Sequence, residues 1–126
     1  MAKEQVVSSG APAPLGPYSQ AIKSNGFIFV SGQLAIDPAE GILKSESVHK
    51  DTKLILDNIS AILEAAGSSL EKTVKFTVYL KNIDDMKFVN EAFEERLPGV
   101  KPARSAVAVA ALPKNASVEI EAVAEG

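Results

Sequence analysis

The side chains with the most chemistry to offer lie late in the chain. Lys101-Pro102-Ala103-Arg104-Ser105-Ala106-Val107-Ala108-Val109 alternates in character with a period of two, which is the signature of a β-strand. Ser105, Val107 and Val109 share one face, and Arg104, Ala106 and Ala108 share the other. Arg104 therefore projects from a face whose next two neighbours are only methyl groups, which leaves room for a ligand beside the guanidinium. The fork of donors on an arginine matches the two oxygens of a planar carboxylate. A turn at Leu112-Pro113-Lys114-Asn115 leads to a second strand, Val118-Glu119-Ile120-Glu121-Ala122-Val123. Glu119 and Glu121 lie on one face, opposite Val118, Ile120 and Ala122. Arg104 with one of these carboxylates makes the leading candidate site. The same residue types on late strands also make ordinary structural ion pairs. A simple hairpin centred on Pro113-Lys114-Asn115 would not set Arg104 opposite Glu119, so the register stays open at this level.

Composition narrows the classes of function. A length of 126 residues fits one domain spanning 1–126, and 46% hydrophobic residues are enough for a core. Thirteen basic against 16 acidic residues leave a net charge of −3, which argues against nucleic acid as a partner. The absence of cysteine excludes disulfides, thiolate catalysis and cysteine-ligated zinc. His49, the single histidine, excludes any site that needs two imidazoles from one chain. No apolar run approaches a membrane span, and Met1-Ala2-Lys3-Glu4-Gln5 is neither a signal peptide nor a transit sequence. A cytoplasmic protein is the default, with a mitochondrial address open if a leader was removed.

These residues need elements to position them. Lys3 to Val7 reads as a short strand, followed by the loop Ser8-Ser9-Gly10-Ala11-Pro12-Ala13-Pro14-Leu15-Gly16-Pro17-Tyr18. Tyr18 is either a loop anchor on the core or a hydroxyl held over a cleft. Ser19–Ser24 and Phe27–Ser31 read as strands joined by Asn25-Gly26, the strongest hairpin signal in the chain. Phe27-Ile28-Phe29-Val30 is apolar on both faces, as in a sheet covered on both sides. It runs into Ser31-Gly32-Gln33, where the Ser31 hydroxyl and the Gly32 N–H either contact a small anion or shape a turn. Asp37 to Gly41 is a further turn.

Val48 to Ala66 has helical periodicity through Val48, Thr52, Ile55, Ile59, Ile62 and Ala66, with Ser45 or Ser47 as N-cap and Gly67 as the stop. His49, Asp51, Lys53 and Asp57 read as its solvated surface. Leu70 to Leu80 is a strand, with Val74, Phe76, Val78 and Leu80 on one side and Lys75, Thr77 and Tyr79 on a wetter one. Asp84 is the expected N-cap of a second helix to about Leu97, with Ile83 and Phe88 as its hydrophobic staple and Met86, Val89, Phe93 and Leu97 as its buried stripe. Asn90 lies off that stripe. The order strands, helix, strand, helix, two strands predicts an α+β fold with a mixed or mostly antiparallel sheet and both helices on one face. The other face has no helix to cover it, which predicts a homo-oligomer.

Gly16-Pro17-Tyr18-Ser19-Gln20, Val30-Ser31-Gly32-Gln33, Asp57-Asn58, Glu64-Ala65-Ala66-Gly67, Val74-Lys75, Val89-Asn90, Pro102-Ala103-Arg104-Ser105 and Val118-Glu119-Ile120-Glu121-Ala122 occur in this order along essentially the whole chain. The set resembles the RidA/YjgF family of reactive-intermediate (enamine/imine) deaminases. The resemblance implies a chorismate-mutase-like α+β fold with a six-stranded sheet, assembled as a homotrimer with clefts between subunits. It implies hydrolysis of 2-aminoacrylate and related 2-imino acids to 2-keto acids and ammonia without metal or cofactor, which would protect pyridoxal-phosphate enzymes. By position, Arg104 matches the arginine that holds the substrate carboxylate, and Glu119 the acid that positions water and moves protons. Glu121 has the same face parity, but the motif favours Glu119. Tyr18, Ser31 and Asn90 match polar positions lining the cleft, and Gly32 offers a backbone N–H. Ala106 stands where many members have cysteine, so only its backbone carbonyl is available to the substrate nitrogen. Two other classes of function stay beside this one: a non-catalytic binder of small carboxylic acids or of a protein, and a ribonuclease or translation inhibitor. An isomerase role rests on fold analogy alone.

Overall fold

The computed structural model describes residues 2–126. Six strands, β1 (Glu4–Val6), β2 (Ala21–Ser24), β3 (Phe27–Gln33), β4 (Thr73–Leu80), β5 (Ala103–Ala108) and β6 (Val118–Glu125), form one sheet in the order β1-β2-β3-β6-β4-β5. Two helices, α1 (Val48–Ala65) and α2 (Met86–Arg96), pack on one face. All pairs are antiparallel except β4 with β5, so the α+β sheet is mixed, as its element order predicts. Pro113–Asn115 does not close a hairpin. β6 enters between β3 and β4, and β4 separates it from β5.

Local chemistry explains most element ends. Asn25 and Gly26 take φ of 53° and 81°, the left-handed pair that a tight β2–β3 hairpin requires. Ser47 caps α1 by accepting the Lys50 N–H at 3.1 Å, and Gly67, at φ 82°, follows its end. α2 starts differently from the expected Asp84 cap. A single 3-10 turn over Ile83–Asp85 precedes it, and Asn82 caps that turn by accepting the Asp84 N–H at 3.0 Å. Ile83 and Phe88, the expected staple, are both exposed. Likewise Leu70–Lys72 is a 3-10 turn, and β4 begins only at Thr73.

The core lies between the sheet and the helices. Ile28, Val30, Phe76, Val78, Leu80, Val118, Ile120, Ala122 and Ala124 meet Ile55, Leu56, Ile59, Ile62, Leu63, Val89 and Phe93 there. Phe76 and Phe93 meet edge to face with ring centroids 5.1 Å apart. The far face is uncovered: Phe27 is 40% and Phe29 48% exposed, so β3 is not sandwiched within the chain. Val74 joins these outward residues, because the β4–β6 register shifts between Thr73 and Lys75 and breaks the alternation. Asp51 is not solvated surface either. It is buried, and its carboxylate accepts the Glu46 N–H at 3.2 Å. Burial above all, with the charge of Glu46, pushes its carboxyl upward against the two backbone hydrogen bonds. His49, Lys53 and Asp57 bridge the helices through Glu95 and Arg96.

Candidate functional site

The register settles where Arg104 and Glu119 lie. Arg104 pairs with Phe76 across the parallel β4–β5 ladder, so it shares the helix-covered side with that buried ring. Glu119 pairs with Tyr79 across β4–β6, on the uncovered side. The two groups therefore stand on opposite faces of the sheet. They form no ion pair within the chain, and the structure does not gather the predicted residues into one pocket.

The first half surrounds Arg104. Its guanidinium stacks 5.3 Å from the Phe93 ring centroid of α2 and lies within 4 Å of no carboxylate among the described residues. Stacking on a ring holds the planar group while leaving its edge donors free. Asn90, Phe93, Glu94, Leu97, Lys101, Pro102 and Arg104 line a cleft of about 440 Å³. Lys101 is committed elsewhere: its ammonium donates to the Leu97 carbonyl at the end of α2. Ala106 turns its methyl toward the core. Because β5 is the sheet edge, the backbone groups on its outer side have no partner strand.

The second half surrounds Glu119. Ser31-Gly32 is not a turn after β3. It is a bulge inside the strand, because Val30 pairs with Ala122 but Gln33 with Ile120, so two residues oppose one. The Glu119 side chain lies across this bulge. A Cβ on Gly32 would come within 2.7 Å of Glu119 Oε2, so only glycine leaves that carboxylate its place. Burial first, then the charge of Glu121, pushes the Glu119 carboxyl above the ordinary glutamate range. Tyr18, Gly32 and Glu119 line one cleft with Pro113. The Tyr18 ring is 48% exposed and its hydroxyl accepts the Leu15 N–H at 3.1 Å, so it is a hydroxyl held at a cleft rather than a buried anchor. The Ser31 hydroxyl donates to the Ser19 carbonyl at 2.6 Å, and its N–H donates to the Gln20 carbonyl. Its oxygen retains only acceptor capacity.

Of the predicted residues, Tyr18, Gly32 and Glu119 come together in one cleft, with Ser31 adjoining through the bulge, and Asn90 joins Arg104 in the other. Two side chains were not singled out from the sequence. Phe93 carries the guanidinium as well as filling the core, a double role that helical periodicity does not signal. Tyr79 donates to Glu121 beside Glu119, and its position on the wetter face of β4 was the available hint.

Comparison with known proteins places the chain in a family. A family model described as Endoribonuclease L-PSP matches residues 8–126. A RutC family protein of Pyrococcus abyssi is 50% identical over 124 residues, covering 98% of each chain. The chloroplastic Reactive Intermediate Deaminase A of Arabidopsis thaliana is 48% identical over 122 residues, covering 97% of this chain and 65% of that protein. The 2-iminobutanoate/2-iminopropanoate deaminase of Bos taurus is 44% identical over 124 residues, covering 98% of this chain and 90% of that one. Among solved structures, a Rid-family protein of Yersinia pestis superposes with a TM-score of 0.96 at 43% identity, covering 99% of this chain and all of the other. E. coli TdcF with bound serine superposes with a TM-score of 0.91 at 34% identity, covering 98% of both chains. The chain belongs to the RidA/YjgF, or endoribonuclease L-PSP, family.

Proposed function

We propose that this Rid-family chain hydrolyses reactive 2-imino acids, arising from enamines such as 2-aminoacrylate, to 2-keto acids and ammonia, in clefts completed between copies of itself. The observation that carries the reading is the division of the site: an unneutralised arginine on one face and a cradled glutamate on the other. Two unlike halves on opposite faces suit a heterologous, head-to-tail contact, which forms a ring where its rotation closes. The family resemblance makes that ring a trimer. The relatives named as deaminases of imino acids, and the relative crystallised with serine, favour a small amino or imino carboxylate as occupant.

In the assembled cleft Arg104 of one copy grips the substrate carboxylate and orients its C=N bond, converting a random encounter into an aligned one. Asn90 of that copy and Tyr18 and Gly32 of the next bound the substrate, Ser31 supports the bulge beside it, and the Ala106 carbonyl accepts from its nitrogen. The enamine takes a proton from solvent at its terminal carbon, gives one up from nitrogen, and becomes the imine. Ionised Glu119 receives a proton from water as the water oxygen bonds to the imine carbon, and that proton passes to nitrogen. As the carbinolamine collapses, Glu119 takes its hydroxyl proton and delivers it to nitrogen, the C=O bond forms, the C–N bond breaks and ammonia leaves. A carboxyl raised toward neutrality both accepts and returns a proton readily, which is the relay this sequence needs.

The test is keto acid release from 2-aminoacrylate generated in place by a serine dehydratase. Parent protein should accelerate release over the spontaneous rate, while Arg104→Ala and Glu119→Gln should not. Equal rates with and without the parent would remove the deaminase reading and leave a carboxylate-binding cleft.

A further inference from the structure

Tyr79 and Glu121 take no part in the proposed chemistry, yet they are built against Glu119. Tyr79 is the cross-strand partner of Glu119, while Glu121 pairs with Thr77. The phenol reaches past its own partner and donates diagonally to the Glu121 carboxylate, over a position where Thr77 is small. Gly32, Tyr79, Glu119 and Glu121 line one recess with Val109 and Pro113. We propose that Tyr79 and Glu121 are positioning residues for Glu119: the phenol pins a second carboxylate beside the first, so that negative charge faces the group that carries the proton.

The surroundings leave this pair as the local control. From β3, Gly32 presents no side chain to Glu119. From the loop before β2, the Tyr18 phenol is engaged with the Leu15 N–H. Just past β4, the Lys81 ammonium turns to Asn115 Oδ1 at 2.8 Å. Two like charges on one strand face repel, so the proton is held more firmly on Glu119 while Glu121 stays beside it. Besides burial, the Glu121 charge is the cause that raises the Glu119 carboxyl. Without the phenol, Glu121 is free to swing into solvent, where its charge is screened. In the assembled cleft Arg104 of the next copy adds a cation, but equally in parent and variants, so their difference isolates the pair.

This inference rests on Glu119 being the proton carrier. Its test uses the full chain with Tyr79→Phe and Glu121→Gln, in two readouts. The first is a carbon-13 carboxyl NMR titration, with the Glu119 signal assigned by its loss in Glu119→Gln. The second is the pH profile of kcat/KM for imine hydrolysis after subtraction of the spontaneous rate. The Glu119 midpoint and the acid limb of the profile should both move to lower pH, further in Glu121→Gln than in Tyr79→Phe. Tyr79→Phe keeps the ring volume and so serves if the other variant fails to fold. A Glu119 midpoint unchanged in Tyr79→Phe overturns the inference, even with deamination intact. A shifted midpoint in a protein without deaminase activity sustains the positioning and removes the function.

Discussion

The two halves of the site are built on different principles. Glu119 is held from several sides within its own chain: a bulge opens space under it, and Glu121 flanks it with a pinned charge. Arg104 stands on an edge strand, steadied only by the Phe93 ring and unpaired with any acid among the described residues. The acid must be tuned, and tuning needs burial and fixed neighbours. The cation must stay unneutralised until a carboxylate arrives: Glu119 and Glu121 of its own chain lie on the other face of the sheet, and Glu94, which lines its cleft, stands 3.6 Å from Lys101 instead. Opposite faces of one sheet thus keep the two halves apart within a chain.

Breaking the open half should have the largest effect. Arg104→Ala removes the carboxylate grip and should lower kcat/KM about 10²- to 10³-fold, as loss of a charge-assisted, orienting contact does. Thermal unfolding should hardly move, because the side chain is exposed and makes no ion pair among the described residues. A comparable loss of stability would make Arg104 a structural residue.

Breaking the built half should cost less in rate. Gly32→Ala drives a methyl into the place of the Glu119 carboxylate. Activity should fall on the order of 10- to 100-fold by misplacement of the acid, with the KM effect smaller than the kcat effect. Unchanged turnover would show that the bulge does not aim Glu119.

A buried carboxylate remote from both halves sharpens the contrast. Asp51→Ala leaves the Glu46 N–H without its acceptor and should destabilise the fold by about 1–3 kcal/mol with kcat/KM intact. Chemical denaturation together with the deaminase assay separates the two readouts.

The smallest effect concerns pH. The folded Glu119 carboxyl lies above its unfolded value, so the native state binds the extra proton. Its contribution is present below the unfolded value and is lost as pH rises through the folded one. Glu119→Gln should therefore raise Tm relative to parent at neutral pH, with the gain fading as pH falls below the ordinary glutamate range. A gain independent of pH would contradict the burial of charge at this site.

Residue type and strand parity made Arg104 and the Glu119–Glu121 face legible as candidates, because both are local properties, but parity did not choose between the two glutamates. The separation of Arg104 from them was not legible. Whether residues on two strands share a face depends on the strand between them, and β4 pairs with both over long sequence distances. The bulge at Ser31-Gly32 was hidden for a related reason: it exists only relative to the β6 register. The outward turn of Val74 has the same origin. The burial of Asp51 escaped because a carboxylate in a helix first turn looks alike whether water or a loop N–H meets it. Asn25-Gly26, Ser47 and Gly67 were readable because their chemistry acts within a few residues.

The most direct test of the divided site is subunit complementation. Arg104→Ala and Glu119→Gln proteins, each inactive alone, are mixed, dissociated and reassembled, and keto acid release is measured. A cleft that takes Arg104 from one variant and Glu119 from the other is intact. Random 1:1 assembly of trimers should therefore restore about a quarter of parent activity. Activity no greater than that of the separate variants, in ring assemblies shown to contain both chains, would contradict a site shared between copies.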